Sequence, residues 1–275
     1  MIEIQRQAYQ SDLKDQEWKI LTPLLPQPSG VGTKGRPQEW PLREIVNSIF
    51  YVLRSGCQWR LLPHDLPPWQ TVYYHYNKWR KNGLWEEINQ TLREAVRRQE
   101  GRETSPSAAI VDAQSVKTTL VKGERGFDAG KKVNGRKRHI IVDTLGLLLM
   151  VIVTAASVQD RPGAKQLLTH LYRRLALPRL RLIWADGGYG GKPFATWVYE
   201  TFGWVWEVVK RSDDRTGFQV LPHRWIVERT FGWLCNYRRL SKDYEELPTS
   251  SETFIYIAMT RIMLNRLTTN DFDEP

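Results

Sequence analysis

Asp112, Asp186 and Glu228 are the residues whose setting favours shared chemistry. Asp112 follows the apolar run AAIV, and Asp186 follows LIWA. Glu228 stands beside Val227, between Arg224 and Arg229. Carboxylates at the carboxyl ends of strands in an open α/β sheet lie where such sheets place their sites. Gly187 and Gly188, directly after Asp186, permit a tight turn and close approach of a ligand. Three converging acids repel one another unless a cation joins them. Mg²⁺ suits such a set, because it prefers carboxylate, water and phosphate oxygens and keeps positions open for a substrate. Two such ions would activate a water or a hydroxyl and stabilise the leaving oxygen of an in-line displacement. Spacing alone leaves a second reading open, in which each acid is a cap or turn former. Asp143, in HIIVDTLG, reads that way, as part of a hairpin turn.

A second feature adjoins the first of these acids. Residues 113–139 carry Lys117, Lys122, Arg125, Lys131, Lys132, Arg136, Lys137 and Arg138 against only Glu124 and Asp128. Four glycines mark the segment as a loop or ribbon. It reads as a clamp for a nucleic-acid backbone, with affinity that falls as salt rises. Arg224, Arg229, Arg238 and Arg239 flank Glu228 and are further candidates for phosphate contacts. His139 and His223 lack cysteine or histidine partners at ligand spacing, which argues against zinc. Trp225 and Trp233 bracket Glu228 and serve either as core or as stacking platforms for an unpaired base.

The elements that must position these residues fall into two groups. The chain has 275 residues and a formal charge of +10, which favours a polyanionic partner. Its two cysteines form no metal or disulfide pattern, so a reducing, cytoplasmic setting is expected. Its longest apolar run, residues 145–156, is too short for a membrane helix and reads as buried strands. The first hundred residues read as helical: a short helix capped by Ser11 or Asp12, one over 42–53, one carrying Val72, Tyr76 and Trp79, and one from Trp85. They form either a helix-turn-helix-like unit with Tyr73, Lys78, Arg80 and Lys81 toward DNA, or a plain bundle. Residues 26–37 read as a loop, with Lys34 and Arg36 available to a phosphate backbone. The junction at 101–109 separates a domain of residues 1–103 from one of residues 104–275. Beyond it come a strand into Asp112, a hairpin about Gly146, a helix over 161–176, strands at 179–188 and 204–209, and a helix over 222–240. That succession is α/β.

Longer blocks then carry a likeness. CQWR at 57–60 and LPPWQTVYYHYNKW at 66–79 precede IVDAQSVKTT at 110–119 and GFDAGKKVNGRKRHIIVDTLGLLL at 126–149. QDRPGA at 159–164, WADGGYGG at 184–191 and WIVERTFGWLCNYRRLSKDYE at 225–245 follow. In these blocks the chain resembles bacterial insertion-sequence transposases of the IS4/IS5 type, over roughly residues 12–265. The resemblance implies an RNase H-like catalytic domain with a mixed sheet, preceded by a mostly helical domain. It implies a catalytic and metal-binding triad of Asp112, Asp186 and Glu228, with two Mg²⁺ or Mn²⁺ ions per site. The partners it implies are double-stranded DNA, as terminal inverted repeats and target, and a second copy of the chain on paired DNA ends. The family's arginine position falls on Arg224, whereas its tyrosine and lysine positions fall on Leu221 and Cys235. Two rival functions share these features: a nuclease that cuts without joining, and a DNA-binding repressor.

Overall fold

A computed structural model describes residues 6–26, 39–119, 122–209 and 223–269. The amino-terminal part is helical: α1 (Asp15–Leu21), α2 (Leu42–Ser55), α3 (Trp69–Lys81) and α4 (Leu84–Gln99). Gly56 ends α2 in the left-handed conformation (φ 73°), its N–H returning to the Val52 carbonyl. Gly83, also left-handed, makes the turn from α3 into α4. The start of α1 differs from expectation. Asp12 binds Arg6 and the Tyr9 N–H instead, and the Lys14 N–H donates to Glu17 at 2.7 Å. The carboxylate three residues inside the helix thus satisfies the chain at its entry.

The remainder comprises β1 (Ala108–Lys117), β2 (Gly126–Asp128), β3 (Val133–Asp143), β4 (Leu148–Ala155), α5 (Asp160–Arg174), β5 (Leu182–Ala185), α6 (Lys192–Phe202), β6 (Val205–Val208), α7 (Arg224–Cys235) and α8 (Pro248–Thr268). β4, β3 and β1 are antiparallel neighbours, and β5 and β6 continue the sheet in parallel beyond β1. This mixed sheet, with helices on both faces and a helical bundle before it, is the RNase H-like arrangement expected. The β3–β4 hairpin turns at Gly146 (φ 80°), and Asp143 caps it by accepting the Leu145 and Leu147 N–H groups at 2.9 Å each. β1 runs five residues past Asp112, and β3 begins five residues before the expected strand start at Arg138. α7 ends at Cys235 rather than near 240, with a separate short turn at Arg238–Leu240.

Period-two alternation sorts the sheet's residues into two layers. Ala109, Val111 and Ile141 pack with Leu167, Leu168 and Leu171 of α5 and with α6. Ile110, Ile140 and Val142 pack with α7 and α8 and, through them, with the amino-terminal helices. The expected division at residue 103 lies in the connection between α4 and β1, and the core runs across it. Arg97 of α4 meets Asp143 at 2.6 Å, with side-chain exposures of 5% and 0%. α8, absent from the elements expected of the sequence, buries Phe254, Ile255, Tyr256, Ile257, Ala258 and Met259 in succession. A helix apolar all round its circumference has no period to detect. Among the described residues no helix is long and apolar enough to cross a membrane.

Candidate active site

The site starts from strand register. β1 and β5 pair Ala108 with Leu182 and Ile110 with Trp184, an offset of 74 residues. Asp112 and Asp186 are also 74 residues apart, so the same offset sets them side by side just beyond the paired stretch. Asp112 keeps the parity of Ile110 and therefore faces α7. Its Oδ1 accepts the Ala113 N–H at 2.7 Å. Asp186 opens a short turn over Gly187–Tyr189 and accepts the Gly188 N–H at 2.8 Å.

Electrostatics tie the two together. Burial pushes the Asp112 carboxyl up to about 6, and the charge of Asp186 adds to the shift. The Ala113 N–H, Arg224 and Lys131 oppose it. Arg224 at the start of α7 stands 3.7 Å from Asp186 and 3.3 Å from Glu228, four residues along the same helix. The guanidinium is the cation that this arrangement supplies between the second aspartate and the glutamate. Glu228 is more open, with 54% of its side chain exposed. Among the described residues, no three His, Cys, Asp or Glu side chains converge closely enough to hold one metal ion. The oxygen donors and the raised Asp112 pKa suit a hard divalent cation at the two aspartates. Glu228 reaches them through Arg224.

Tyr189 lies beneath this centre. It is 1% exposed, and its hydroxyl has no hydrogen-bond partner. Burial raises its pKa well above the ordinary value, and the charges of Asp112, Asp160 and Asp186 push it the same way. Sequence reasoning assigns Tyr189 and Asp160 no role. Their blocks, WADGGYGG and QDRPGA, are the available signal.

The twelve basic residues expected to meet DNA part company in the structure. Lys117, Lys122, Arg125, Lys131, Lys132 and Arg238 are exposed. Lys131 also donates to the Ala113 carbonyl at 2.8 Å, beside Asp112. Arg224 and Arg229 are half-buried, the latter lying 4.6 Å from the ring centres of both Trp225 and Trp233. Arg136, Lys137, Arg138 and Arg239 are buried with partners inside the protein. His139 is buried against Thr154, and burial lowers its pKa to about 4. A β-carbon at Gly163 would overlap the His139 ring, which accounts for the glycine of QDRPGA. His223 stacks on Trp184 at 4.1 Å. Of the candidate DNA-facing residues on α3, Tyr73, Lys78 and Lys81 are exposed, whereas Arg80 bonds Asn77 and Thr249. Lys34, Arg36 and Leu221 lie outside the described residues.

Comparison with known proteins follows the same division of the chain. Residues 103–263 match the family described as "Transposase DDE domain". Residues 13–89 match the one described as "Putative transposase of IS4/5 family". Among curated proteins the chain is similar to the "Putative transposase for insertion sequence element IS402" of Burkholderia cepacia, 28% identical over 138 residues. That match covers 48% of this chain and 64% of the relative, so the chain spans less than two thirds of it. An uncharacterized 16.2 kDa protein of the same insertion element is 28% identical over 125 residues, covering 44% of this chain and 78% of that protein. Among solved structures, the Mos1 transposase paired-end complex with left transposon end matches at 14% identity and a TM-score of 0.25, over 66% of this chain and 61% of that one.

Proposed function

The chain belongs to the DDE-type transposases of the IS4/IS5 family, and from that premise we propose that it binds the terminal inverted repeats of an insertion element and catalyses phosphodiester hydrolysis and strand transfer. The observation that carries this reading is the register that sets Asp112 beside Asp186, with Arg224 linking Asp186 to Glu228. Asp112 and Asp186 would hold Mg²⁺ or Mn²⁺, two ions per site, with Glu228 joining them as Arg224 turns to a DNA phosphate. Bound there, such ions activate the attacking oxygen and stabilise the leaving one.

The chain's own groups have distinct tasks in this scheme. Asp112 is half-buried on a central strand and its Oδ1 accepts the Ala113 N–H, so its carboxylate is held in one place. Asp186 is fixed by the Gly188 N–H. Arg224 balances the acids before DNA arrives and contacts phosphate afterwards. Lys117, Lys122, Arg125, Lys131 and Lys132 line the ribbon beside Asp112 and would hold the DNA backbone near it. Arg238, exposed after α7, is a further candidate for DNA contact, whereas Arg229 is half-buried between Trp225 and Trp233 and donates to the Leu145 carbonyl at the hairpin end of the sheet. The exposed stripe of α3, with Tyr73, Tyr74, Lys78 and Lys81, is the candidate for end recognition. Two DNA ends brought together imply two copies of the chain.

The test supplies purified protein with its element-end DNA and Mg²⁺ or Mn²⁺, and follows nicking and end joining. Alanine at Asp112, Asp186 or Glu228 should reduce both by at least about 100-fold, the scale seen when a group stabilising the transition state is removed. Wild-type rates in those variants would refute the assignment. Cutting without joined products would identify a nuclease instead, and metal-independent binding without cutting a repressor.

A further inference from the structure

Lys137 projects from β3 toward α5, the opposite face from Arg136 and Arg138. Its ammonium lies 3.2 Å from Asp128 and 3.0 Å from Asp160, with 6% of the side chain exposed. A buried ammonium needs such partners, because desolvation otherwise costs several kcal/mol, on the order of a salt bridge's whole Coulomb gain. Asp160 is the first residue of α5, and an acid in a first turn is favourable on helix-dipole grounds alone. That explains the residue type and leaves its orientation unexplained. One oxygen, Oδ1, is taken by Lys137, and Oδ2 turns toward the Gly187–Tyr189 turn. A β-carbon at Gly188 would stand 3.1 Å from Asp186 Oδ1 and 3.5 Å from Asp160 Oδ2. Two carboxylate oxygens therefore flank one point. The buried, unpartnered hydroxyl of Tyr189 feels both, together with Asp112. Lys137 divides its single charge between Asp128 and Asp160, and Arg224 divides its own between Asp186 and Glu228, so with Asp112 and the nearby Lys131 the acids about the turn outnumber the cations set among them. A hard cation is the species that relieves this imbalance.

We propose that Asp160 is a fourth carboxylate of the cation site, held at its Asp186 side by Lys137. The inference rests on Asp112 and Asp186 being the cation's ligands. Asp160 acts on the cation by charge and through its water shell, and Lys137 is the positioning residue that aims it.

Binding of Mn²⁺ to the full-length protein without DNA, followed by the paramagnetic resonance of free Mn²⁺, tests this apart from catalysis. Asp160→Asn keeps an acceptor for Lys137 and should weaken Mn²⁺ binding about tenfold, the lower end of what loss of a supporting group costs a metal site. Asp160→Ser, which also removes the charge, should show the same loss. Asp128→Asn keeps an acceptor for Lys137 and alters no group at the Asp186 turn, so any loss of Mn²⁺ affinity should be clearly smaller than in the Asp160 variants. Unchanged affinity in both Asp160 variants overturns the proposal. An equal loss in Asp128→Asn also overturns it, because the effect would then come from the Lys137 network as a whole. Asp112→Asn and Asp186→Asn serve as references. If they too bind Mn²⁺ like the wild type, the cation site itself fails, a pattern distinct from silence at Asp160 alone.

Discussion

Lys117, Lys122, Arg125, Lys131 and Lys132 reach solvent, whereas Arg136, Lys137 and Arg138, a few residues further along, are almost wholly buried. The two stretches have similar composition and follow one another in a single basic segment. Their difference comes from the sheet. The first stretch lies on the far end of β1 and the ribbon that turns through β2. The second lies on β3, flanked by β1 on one side and β4 on the other. Alternation along β3 then sends Arg136 and Arg138 to the segment after α7, and Lys137 and His139 to α5. Arg136 meets Asp243 at 3.1 Å and the carbonyls of Glu124, Glu245 and Glu246. Arg138 donates to the carbonyls of Leu240 and Lys242. Positive charge on a central strand is thus structural, and within this basic segment it is the exposed stretch whose charge is open to a polyanion.

The comparison predicts unequal losses within the buried stretch. Arg136→Met leaves Asp243 ionised, buried and without its guanidinium, a defect that costs about 3–5 kcal/mol. Arg138→Met removes a guanidinium that bonds only neutral groups, and burial already lowers its pKa. The loss there is two carbonyls without donors, about 1–3 kcal/mol. Urea denaturation of both variants measures the gap. Equal losses, or a stabilised Arg136→Met, would show that the Arg136–Asp243 pair is not what holds β3 to the carboxyl-terminal segment.

The exposed stretch should behave in the opposite way. Lys122→Ala combined with Arg125→Ala is expected to move stability by no more than about 0.5 kcal/mol, as for surface positions generally. In titrations with element-end DNA, the slope of log K against log salt should fall by up to roughly 2, near 0.9 for each phosphate no longer neutralised. A slope unchanged from the wild type would mean that DNA does not pass over the ribbon, and the clamp would have to be sought on α3 or α7.

Legibility in the sequence tracks how local each cause is. The helices α2, α3 and α4 and the hairpin at Gly146 announce themselves by period and turn residues, and they stand close to the expected limits. Asp112 and Asp186 are visible as acids after apolar runs, but their alignment needs the β1–β5 register. Glu228 has no local signal beyond its neighbours, and only the family blocks point to it. The burial of Arg136 and Arg138 is hidden because their partners, Leu240 to Glu246, lie about a hundred residues downstream. A hint is present nonetheless: nothing breaks the run from Arg136 into HIIVD, so the strand has no reason to begin at residue 138. Asp160 is illegible for a similar reason, since its meaning depends on Lys137 and on the turn after Asp186.

The smallest expected effect distinguishes the two stretches by acid. Burial acts to raise the Asp128 carboxyl, but the Ser115 hydroxyl at 2.6 Å, the Lys131 N–H at 3.0 Å and the Lys137 ammonium outweigh it. The net result holds the carboxyl well below the usual aspartate range. A folded-state pKa below the unfolded one means that the unfolded chain takes up protons first. The stability owed to ionised Asp128 is therefore complete above the ordinary value near ~3.9 and drains away as pH falls below it toward the folded value. Asp128→Asn has no such proton to take up. Its deficit relative to the wild type should be largest at pH 6 and should shrink between pH 4 and pH 3, when urea midpoints are measured at each pH. The Lys122→Ala, Arg125→Ala protein, altered only on the ribbon's solvent side, should run parallel to the wild type over the same range. A constant deficit for Asp128→Asn would mean that Lys137 is not held by an ionised Asp128, and that Asp160 alone keeps that ammonium buried.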